Sequence, residues 1–568
     1  MKTDSINTGT GAGRFLLVLA LAVIAAFAAA GPASARFEAT LAADVNPGPS
    51  SSGADDTIAF KGWLYFTADD GRHGRELWRT RAGRKQLVAD INPGASSSSP
   101  NYFTEMDGHL YFRAADDAHG AEIWRTDGND TELVFDVDPG PDSSGPQGLV
   151  RLGSNVFFSA YTGPNGRELW RTDGSVTTMV MDIQPGGGSS SPTELTVLED
   201  HIYFRADDGI TGAEVWRANA AGAVLWSNIN PGAAPSNPAG FTEFKGMVYF
   251  RAFTPAGGIE PYRINGVLIQ LLEDINPGAA SSSPSRFTRF GGFLYFRATD
   301  PAAGDELWRT DGLIPVATTN MATEINPGPD GSDPNSLGVV GNRLYFSADD
   351  GVHGNEPWRT DGTSLTALGD VNPGPEGSHP YDFAGLSGKV YFGAEDDSTG
   401  EEVWSLKGGK AVRFADLLKG SQGSEPYEFY EFRNELYFPA DDGLHGYELY
   451  KITRADTNVN LKIIGRKLRL SGSGRVRLKL KCPAAEVSGP CRGKVRLKVR
   501  KKGSLASSSF KVAAGRTKTV ALRLNRRSRR LVRTSSAARR PVVVARVRDG
   551  AGNRRTVRKA TVLKAGRA

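Results

Sequence analysis

One short pattern recurs nine times along this chain and limits its possible folds more than any other feature. The pattern is Gly-x-Glu-x-aromatic, and successive copies lie 46 residues apart except for one interval of 50. The aromatic residues of the nine copies are Trp78, Trp124, Trp170, Trp216, Tyr262, Trp308, Trp358, Trp404 and Tyr450. An aliphatic-aromatic-Phe triplet precedes every copy at a constant distance. Such a fixed phase predicts an array of like structural units rather than one globular core.

Each repeat is predicted to form four short β-strands, which we name A to D. In the second repeat these strands are Tyr102–Glu105, His109–Ala114, Ala121–Thr126 and Thr131–Val137. Strand B carries a continuous apolar run, so it needs cover on both faces of its sheet. Neighbouring blades of a β-propeller give that cover, and four-stranded repeats of about 40–50 residues are typical of propeller blades. We therefore predict an all-β fold built on a β-propeller.

The two ends of the repeat region predict how the array closes. It opens with a lone D-type strand, Ala39–Val45, and closes with a C-type strand, Tyr447–Ile452, that no D strand follows. If these strands pair, nine complete blades form and no sheet edge stays bare. Nine exceeds the usual range of about four to eight blades, but two smaller rings would need a linker between them. The only irregularity is four extra residues between Asp311 and Asn326, so we predict a single ring of about nine blades over residues 36–455.

Two motifs within the repeats resemble those of a known family. Glu306-Leu307-Trp308-Arg309-Thr310-Asp311-Gly312 and Asp274-Ile275-Asn276-Pro277-Gly278 are similar to the secreted bacterial repeat proteins named for a Glu-Leu-Trp-x-x-Asp-Gly-Thr motif. The resemblance covers about Phe37–Arg454, and five of the nine repeats depart from it at the Asp-Gly step. It implies an exported repeat protein and no particular activity.

The first 35 residues have the pattern of a secretory signal peptide. Lys2 and Arg14 precede a 16-residue apolar run, Phe15–Ala30, which is followed by the small-residue stretch Ala33-Ser34-Ala35. The alternative is an uncleaved membrane anchor, but 16 apolar residues are short for a membrane span. We expect cleavage after Ala35, no transmembrane span, and a location that is extracellular or associated with the cell envelope.

An aspartate column in the loops between strands B and C is the first candidate site. In a propeller these loops share one face with the Asn-Pro-Gly loops between strands D and A. The column could form a ring of calcium or ligand sites, because calcium prefers several oxygen ligands. The alternative is turn chemistry, which the lack of alternating acidic residues favours. We expect no cofactor, with calcium as the possible exception. The candidate residues are Asp70, Asp116, Asp208, Asp300, Asp350, Asp396 and Asp442.

Three other repeated columns are interpreted as structural rather than catalytic. Glu76 recurs in all nine repeats, whereas a catalytic carboxylate would be single or paired. We expect each Glu to accept hydrogen bonds from backbone groups or from the Arg after the aromatic residue, such as Arg79. The aromatic column is expected to pack between blades. The third column, expected to lie exposed on separate blades, consists of His73, His119, His353 and His445.

The charge of the chain divides sharply after the repeats. Residues 456–568 contain 34 Lys and Arg but only three acidic residues, a net charge of +31, whereas residues 36–455 carry −27. Such asymmetry indicates an interaction domain joined to a scaffold.

The basic segment has the period-two pattern of β-strands. Val476, Leu478 and Leu480 alternate with cations, a second stretch near residue 495 repeats the pattern, and Thr556–Leu563 is predicted to form one further strand. We predict a small antiparallel β-sandwich of immunoglobulin-like type, although the Cys–Trp–Cys signature is absent. Cys482 and Cys491 are expected to form its disulfide, which suits an exported protein; two free buried thiols are the alternative.

The cations of these strands are the second candidate site, a surface for a polyanion. The candidates for the partner are an anionic envelope polymer or polysaccharide, a lipid surface or extracellular DNA. Nucleic acid is the least favoured, since no aromatic residues interleave with the cations. The partner could instead be an extracellular protein, or the domain could dock on the acidic repeats themselves. The candidate residues are Arg475, Arg477, Lys479, Lys481, Lys494, Arg496 and Lys498.

Together these patterns predict a secreted, monomeric, non-enzymatic propeller that binds or displays a partner and attaches to an anionic surface. The chain lacks a Gly-x-Ser-x-Gly elbow, a P-loop and a His-Glu-x-x-His motif, which lowers the prospect of catalysis. The first alternative is an exported hydrolase or lyase acting on polysaccharide with acids from a few blades. Acids confined to one or two repeats would favour it. The second alternative is a calcium-stabilised adhesin.

Overall fold

The computed structural model describes residues 37–565, apart from 267, 314–317, 455–460, 466, 483–489, 500–502, 514 and 549–553. The predicted signal peptide lies outside the described residues. Of these residues 57% are in strands and 2% in helices, which confirms the all-β class. The chain divides into two compact units, Phe37–Arg454 and the segment after it, here called the repeat unit and the basic unit.

The repeat unit contains nine four-stranded antiparallel sheets, as the repeats predict. Strands A are Asp55–Phe60, Asn101–Met106, Gln147–Leu152, Thr193–Leu198, Ala239–Phe244, Ser285–Phe290, Asn335–Val340, Tyr381–Leu386 and Tyr430–Phe432. Strands B are Trp63–Asp69, His109–Asp116, Asn155–Thr162, His201–Asp207, Met247–Thr254, Phe293–Asp300, Arg343–Asp349, Lys389–Asp396 and Glu435–Asp441. Strands C are Arg75–Arg81, Gly120–Thr126, Gly166–Thr172, Ala213–Asn219, Gly258–Ile264, Gly304–Thr310, Asn355–Thr360, Gly400–Lys407 and Tyr447–Arg454. Strands D of sheets 1 to 8 are Arg84–Ala89, Thr131–Phe135, Thr177–Met181, Gly222–Ser227, Ile269–Leu271, Thr319–Thr323, Leu365–Ala367 and Lys410–Arg413.

The first strand of the unit completes the last sheet. Phe37–Ala43 pairs antiparallel with Tyr447–Arg454, so strand D of sheet 9 comes from the other end of the unit. Strand A of each sheet contacts strand A of the next, and strand A of sheet 9 contacts that of sheet 1. The order of contacts among the nine sheets is therefore cyclic.

The apolar side chains of the repeats pack between neighbouring sheets. Tyr65 and Leu77 of sheet 1 share one buried cluster with Phe112 and Trp124 of sheet 2. Because each sheet has such a neighbour on both faces, the apolar run of strand B is covered on both sides. Trp124 is 9% exposed, which agrees with the predicted packing role of the aromatic column.

The basic unit consists of two sheets around one core. The first contains strands Lys462–Ile464, Lys467–Leu470, Arg475–Lys481, Thr517–Arg523 and Val562–Ala565. The second contains strands Cys491–Val499, Gly503–Val512, Val542–Arg548 and Arg554–Ala560. The buried side chains of both sheets form a single hydrophobic cluster, so the two inner faces pack against each other. A disulfide joins Cys482 to Cys491, as predicted, with both residues fully buried.

Two features of the basic unit differ from the sequence-based prediction. A helix, Arg526–Thr534, was not predicted; it begins where the Asn525 side chain accepts a hydrogen bond from the Ser528 N–H. A single strand near Thr556–Leu563 was expected, but the chain divides there into two strands in different sheets. The break is at Thr561, whose N–H and Oγ1 both donate to the Pro541 carbonyl. No helix among the described residues is long and apolar enough to span a bilayer.

Candidate functional site

The ninefold glutamate of strand C fastens the loop that leads to the next sheet. Glu76 accepts hydrogen bonds from the Ile91 N–H at 3.0 Å, the Ser98 N–H at 2.9 Å and the Ser98 hydroxyl at 2.5 Å. Of the two donors expected for this Glu, the backbone N–H groups are confirmed and the Arg after the aromatic residue is not: Arg79 donates to the Tyr65 hydroxyl and to the Gly128 carbonyl of the next sheet. We call each such group of contacts a loop latch.

The serine of the loop latch is a repeated residue that the sequence-based interpretation missed. Its signal was present, because a Ser follows the Glu by 22 residues in seven repeats and by 26 in the longer one. In each of these latches, and in the one formed by Glu448, the serine hydroxyl donates to a buried carboxylate. The nine serines are Ser52, Ser98, Ser144, Ser190, Ser236, Ser282, Ser332, Ser378 and Ser424, and each is at most 2% exposed.

The ninth loop latch joins the two ends of the repeat unit. Glu448 accepts hydrogen bonds from the Val45 N–H at 2.7 Å, the Asn46 N–H at 2.9 Å and the Ser52 hydroxyl at 2.8 Å. These partners lie about 400 residues earlier in the chain. The carboxylates of this column thus hold loops, in agreement with the structural role interpreted from the sequence.

Burial of the nine latch carboxylates predicts how stability depends on pH. Burial outweighs the hydrogen bonds that favour the charged form and raises the pKa of each of the nine, to about 7 for Glu122 and for Glu356. The folded state therefore holds more protons than the unfolded state between about pH 4.5 and pH 7. The stability that these carboxylates contribute is complete below their pKa in the unfolded state. It is lost as the pH rises through their pKa in the folded state.

We expect the melting temperature of the repeat unit to fall by about 5 °C from pH 5 to pH 8. Tryptophan fluorescence measures it selectively, because all nine Trp of the chain lie between Trp63 and Trp404. The double variant Glu122→Gln/Glu356→Gln is expected to have a flatter profile. A melting temperature that stays constant or rises over this interval would contradict the prediction.

The predicted aspartate column lies where the sequence placed it, in the B–C loops. The Asp70 carboxylate accepts hydrogen bonds from the Arg72 and His73 N–H groups, both at 3.0 Å, and from the His73 ring at 2.9 Å. Each of the other six likewise accepts N–H groups two and three residues later. The structure does not bring these residues together, because each stands on its own sheet.

Hydrogen bonds in and around the loop also set the ionisation of Asp442. Burial alone would raise the pKa of Asp442, but the side chains of Tyr450 and His445 and two loop N–H groups lower it to about 2. No group of three or more His, Cys, Asp or Glu suited to a metal ion occurs among the described residues. Calcium binding stays a prediction, which thermal unfolding with calcium and with a chelator would test.

The predicted histidine column is bound to the same loops. His73, His119, His353 and His445 each contact the Asp three residues earlier, at 2.8–3.1 Å. The side-chain hydrogen bond to that Asp raises the pKa of each histidine. The four rings stand on different sheets and share no ligand.

A set of three acidic residues departs from the ninefold pattern. It lies at the ring closure, the place where the two ends of the repeat unit meet. Asp382, Glu428 and Asp56 occupy equivalent left-handed positions in sheets 8, 9 and 1, with φ of 53°, 50° and 53°. The Glu428 N–H donates to the Asp382 carboxylate at 2.8 Å, and the Asp56 N–H donates to the Glu428 carboxylate at 3.3 Å. Burial, and then the neighbouring Asp55 and Glu428, raises the pKa of Asp56 to about 7. Asp382 and Glu428 also line a cavity of about 450 Å³ together with Arg286.

The second predicted site, the cations of the basic unit, forms two continuous surfaces. Along strand Arg475–Lys481 every second residue is an exposed cation, and the residues between them are buried. We call these four cations ladder 1: Arg475, Arg477, Lys479 and Lys481. Strand Cys491–Val499 alternates in a similar way, except that Gly493 is not fully buried and Arg496 is half-buried. Its cations form ladder 2, which adds one residue to the predicted set: Arg492, Lys494, Arg496 and Lys498.

Both ladders place like charges directly opposite each other. Arg475 pairs with Arg523 across the first sheet, and Arg492 pairs with Arg548 across the second. Lys494 likewise lies opposite Arg546. Opposed like charges destabilise a sheet, and none of the described residues of this unit is Asp or Glu. The cations therefore lack acidic partners within the described part of their own unit, an arrangement that an external anion would stabilise.

Comparisons with known proteins add only distant structural likenesses. No family model and no curated protein matches the chain. A puromycin-hydrolyzing peptidase of Mycobacterium tuberculosis aligns over 70% of this chain and 60% of its own, at 12% identity and a TM-score of 0.35. A prolyl endopeptidase aligns over 77% of this chain and 54% of its own, at 12% identity and a TM-score of 0.33. Sqt1 of Saccharomyces cerevisiae aligns over 72% of this chain and 96% of its own, at 12% identity and a TM-score of 0.34. The chain thus spans little more than half of either peptidase.

Proposed function

We propose that this protein is a secreted, non-enzymatic binding protein that attaches to an anionic envelope polymer. Its repeat unit acts as a single nine-bladed β-propeller scaffold, and its basic unit, an immunoglobulin-like sandwich, makes the attachment. The observation that carries the proposal is the pair of ladders, with like charges opposed across strands and no acidic partner among the described residues of the unit.

The propeller part of the proposal rests on the cyclic order of the nine sheets. Phe37–Ala43 completes sheet 9, and strand A of sheet 9 contacts strand A of sheet 1. The Glu-Leu-Trp-x-x-Asp-Gly motifs support membership of the exported repeat family that they resemble. The N-terminal signal pattern and the disulfide support export, because disulfides persist in oxidising compartments.

The polymer part rests on the geometry of the ladders. Side chains on one face of a strand repeat every ~6.8 Å, so four cations extend over about 20 Å. A linear polyanion can contact all four at once and release a counterion at each contact. The acidic repeat unit, with a net charge of −28, would repel such a polymer, so contact is confined to the basic unit.

Binding to linear inorganic polyphosphate tests the proposal, with fluorescence anisotropy of the mature chain at 50–300 mM salt. We expect log Kd to rise linearly with log salt. Replacing all eight ladder cations with Gln should lower that slope by about 5.6, since each contact with a flexible polyanion contributes about 0.7. The control replaces four exposed cations of the repeat unit, Arg72, Arg84, Lys407 and Lys410, with Gln and should leave the slope unchanged. Binding that is absent, or unaffected by the ladder changes, would overturn the proposal.

A second candidate function is cleavage of a polysaccharide at the ring closure, by a hydrolase or a lyase reaction. The observation that favours it is the carboxylate group of Asp56, Asp382 and Glu428, which is confined to three neighbouring sheets. A carboxyl group with a pKa near 7 is suited to general acid catalysis beside an ionised partner. The variants Asp56→Asn and Glu428→Gln would abolish release of sugar ends from an acidic polysaccharide if this candidate is correct. Equal product release from wild type and both variants would reject it.

A further inference from the structure

The two ladders belong to different sheets of the basic unit. Strand Arg475–Lys481 pairs on one edge with Thr517–Arg523 and on the other with Lys462–Ile464 and Lys467–Leu470. Strand Cys491–Val499 lies between Gly503–Val512 and Val542–Arg548. Each ladder therefore runs along a strand that has neighbours on both edges.

The ladders face opposite sides of the unit. The residues between the cations, such as Leu478 in the first sheet and Leu497 in the second, belong to one shared buried cluster. Because the inner faces pack together, the outer faces point away from each other. Stacked sheets lie about 10 Å apart, and extended Lys and Arg side chains bring the charged ends of the two ladders to roughly 20 Å or more. That exceeds the Debye length of about 8 Å at physiological ionic strength, so the ladders act independently.

Beside each ladder, residues with hydroxyl side chains lie on the neighbouring strand. Thr519 and Thr517 lie opposite Lys479 and Lys481 in the first sheet. Ser509 and Ser507 lie opposite Lys494 and Arg496 in the second. All four hydroxyl residues are exposed. A row of cations beside a row of hydroxyls can bind successive oxyanion groups, with charge from one strand and neutral hydrogen bonds from the other.

We propose that the basic unit is bivalent and binds one stretch of phosphate-rich polymer on each outer face, so that one protein crosslinks two polymer chains. The inference rests on the proposed attachment to a polyanion and adds its valency and the oxyanion chemistry of its ligand. Attachment to a surface needs one basic face only. The second, equivalent face explains why a unit this basic keeps like charges opposed in both sheets.

The test uses the full mature chain with linear polyphosphate and two variants that each lack one ladder. One variant is Arg475→Gln/Arg477→Gln/Lys479→Gln/Lys481→Gln. The other is Arg492→Gln/Lys494→Gln/Arg496→Gln/Lys498→Gln. Short polyphosphate chains, titrated by calorimetry, should bind the wild type at two per protein and each variant at one. Long polyphosphate chains mixed with the wild type should scatter light, most strongly at an intermediate ratio of protein to polyphosphate. Either variant should lose this scattering.

The outcomes separate failure of bivalency from failure of the proposed function. Absence of any polyphosphate binding would overturn both. Binding of one short chain per wild-type protein, or scattering by a single-ladder variant equal to that of the wild type, would overturn bivalency and leave attachment intact. The four-cation repeat-unit variant described above is the matched control and should crosslink like the wild type. Tryptophan fluorescence of the repeat unit and tryptic resistance of the basic unit verify that each variant is folded.

Discussion

Replacing Glu448 with Ala is expected to lower the free energy of unfolding of the repeat unit by about 3 kcal/mol and to release its first strand. The change removes the acceptor of three hydrogen bonds, from the Val45 N–H, the Asn46 N–H and the Ser52 hydroxyl. Each buried donor left without a partner costs on the order of 1 kcal/mol or more. Val45 is 1% exposed, so water does not replace the lost contacts without local opening.

Glu214→Ala is the matched control for this prediction. Glu214 also accepts three hydrogen bonds, from the Ile229 N–H, the Ser236 N–H and the Ser236 hydroxyl, but within one continuous stretch of chain. Both variants should lose similar stability by tryptophan fluorescence in urea. Only Glu448→Ala should expose Leu41 to thermolysin under native conditions, because its latch holds the residues that directly follow strand Phe37–Ala43. Equal protection of Leu41 in both variants would show that the ring closure does not depend on this latch.

Removing the disulfide of the basic unit is expected to destabilise that unit by about 2.5 kcal/mol and to leave the repeat unit unchanged. The bond joins Cys482 to Cys491, nine residues apart, and a closed loop of this size restricts the unfolded chain by about that amount. Both cysteines are fully buried in the core that the two sheets share. The loss therefore acts on the packing that holds the two ladders on opposite faces.

The double variant Cys482→Ala/Cys491→Ala tests this prediction with two independent signals. The chain has no Trp or Tyr after residue 450, so fluorescence in urea follows the repeat unit alone. Tryptic digestion at increasing urea follows the basic unit, which supplies many Lys and Arg cleavage sites when it opens. We expect the digestion midpoint to fall and the fluorescence midpoint to stay constant. A shift of both midpoints, or of neither, would contradict the prediction.

Several features of the fold and of the candidate sites were predictable because they repeat or alternate. The constant spacing of Trp78 and its counterparts indicated like units, and the apolar run at Leu110 indicated cover on both faces. Alternation at Arg475–Lys481 indicated one exposed and one buried face, which the structure confirms. Such patterns reflect strand geometry, and strand geometry is local.

Other features depended on contacts between distant residues and could not be predicted from local pattern. Arg79 was one of two donors expected for Glu76, but it donates to Gly128, 49 residues later, because it lies at the boundary with the next sheet. Ser98 was overlooked, since a lone loop Ser has no signal until its distance from Glu76 is compared across the repeats. Asp56 and Glu428 meet only because the two ends of the repeat unit meet.

The sequence by itself therefore determined the repeated four-stranded unit, the division of charge and the positions of the cations, because strand period and composition act over a few residues. Only the tertiary structure decided that the first strand completes the last sheet and that three carboxylates gather at the ring closure. It also decided that the two ladders face away from each other. The physical reason is the same in each case: burial of apolar surface brings together segments that are distant in the chain, and the polar groups placed beside them then pair, or face solvent, according to that packing.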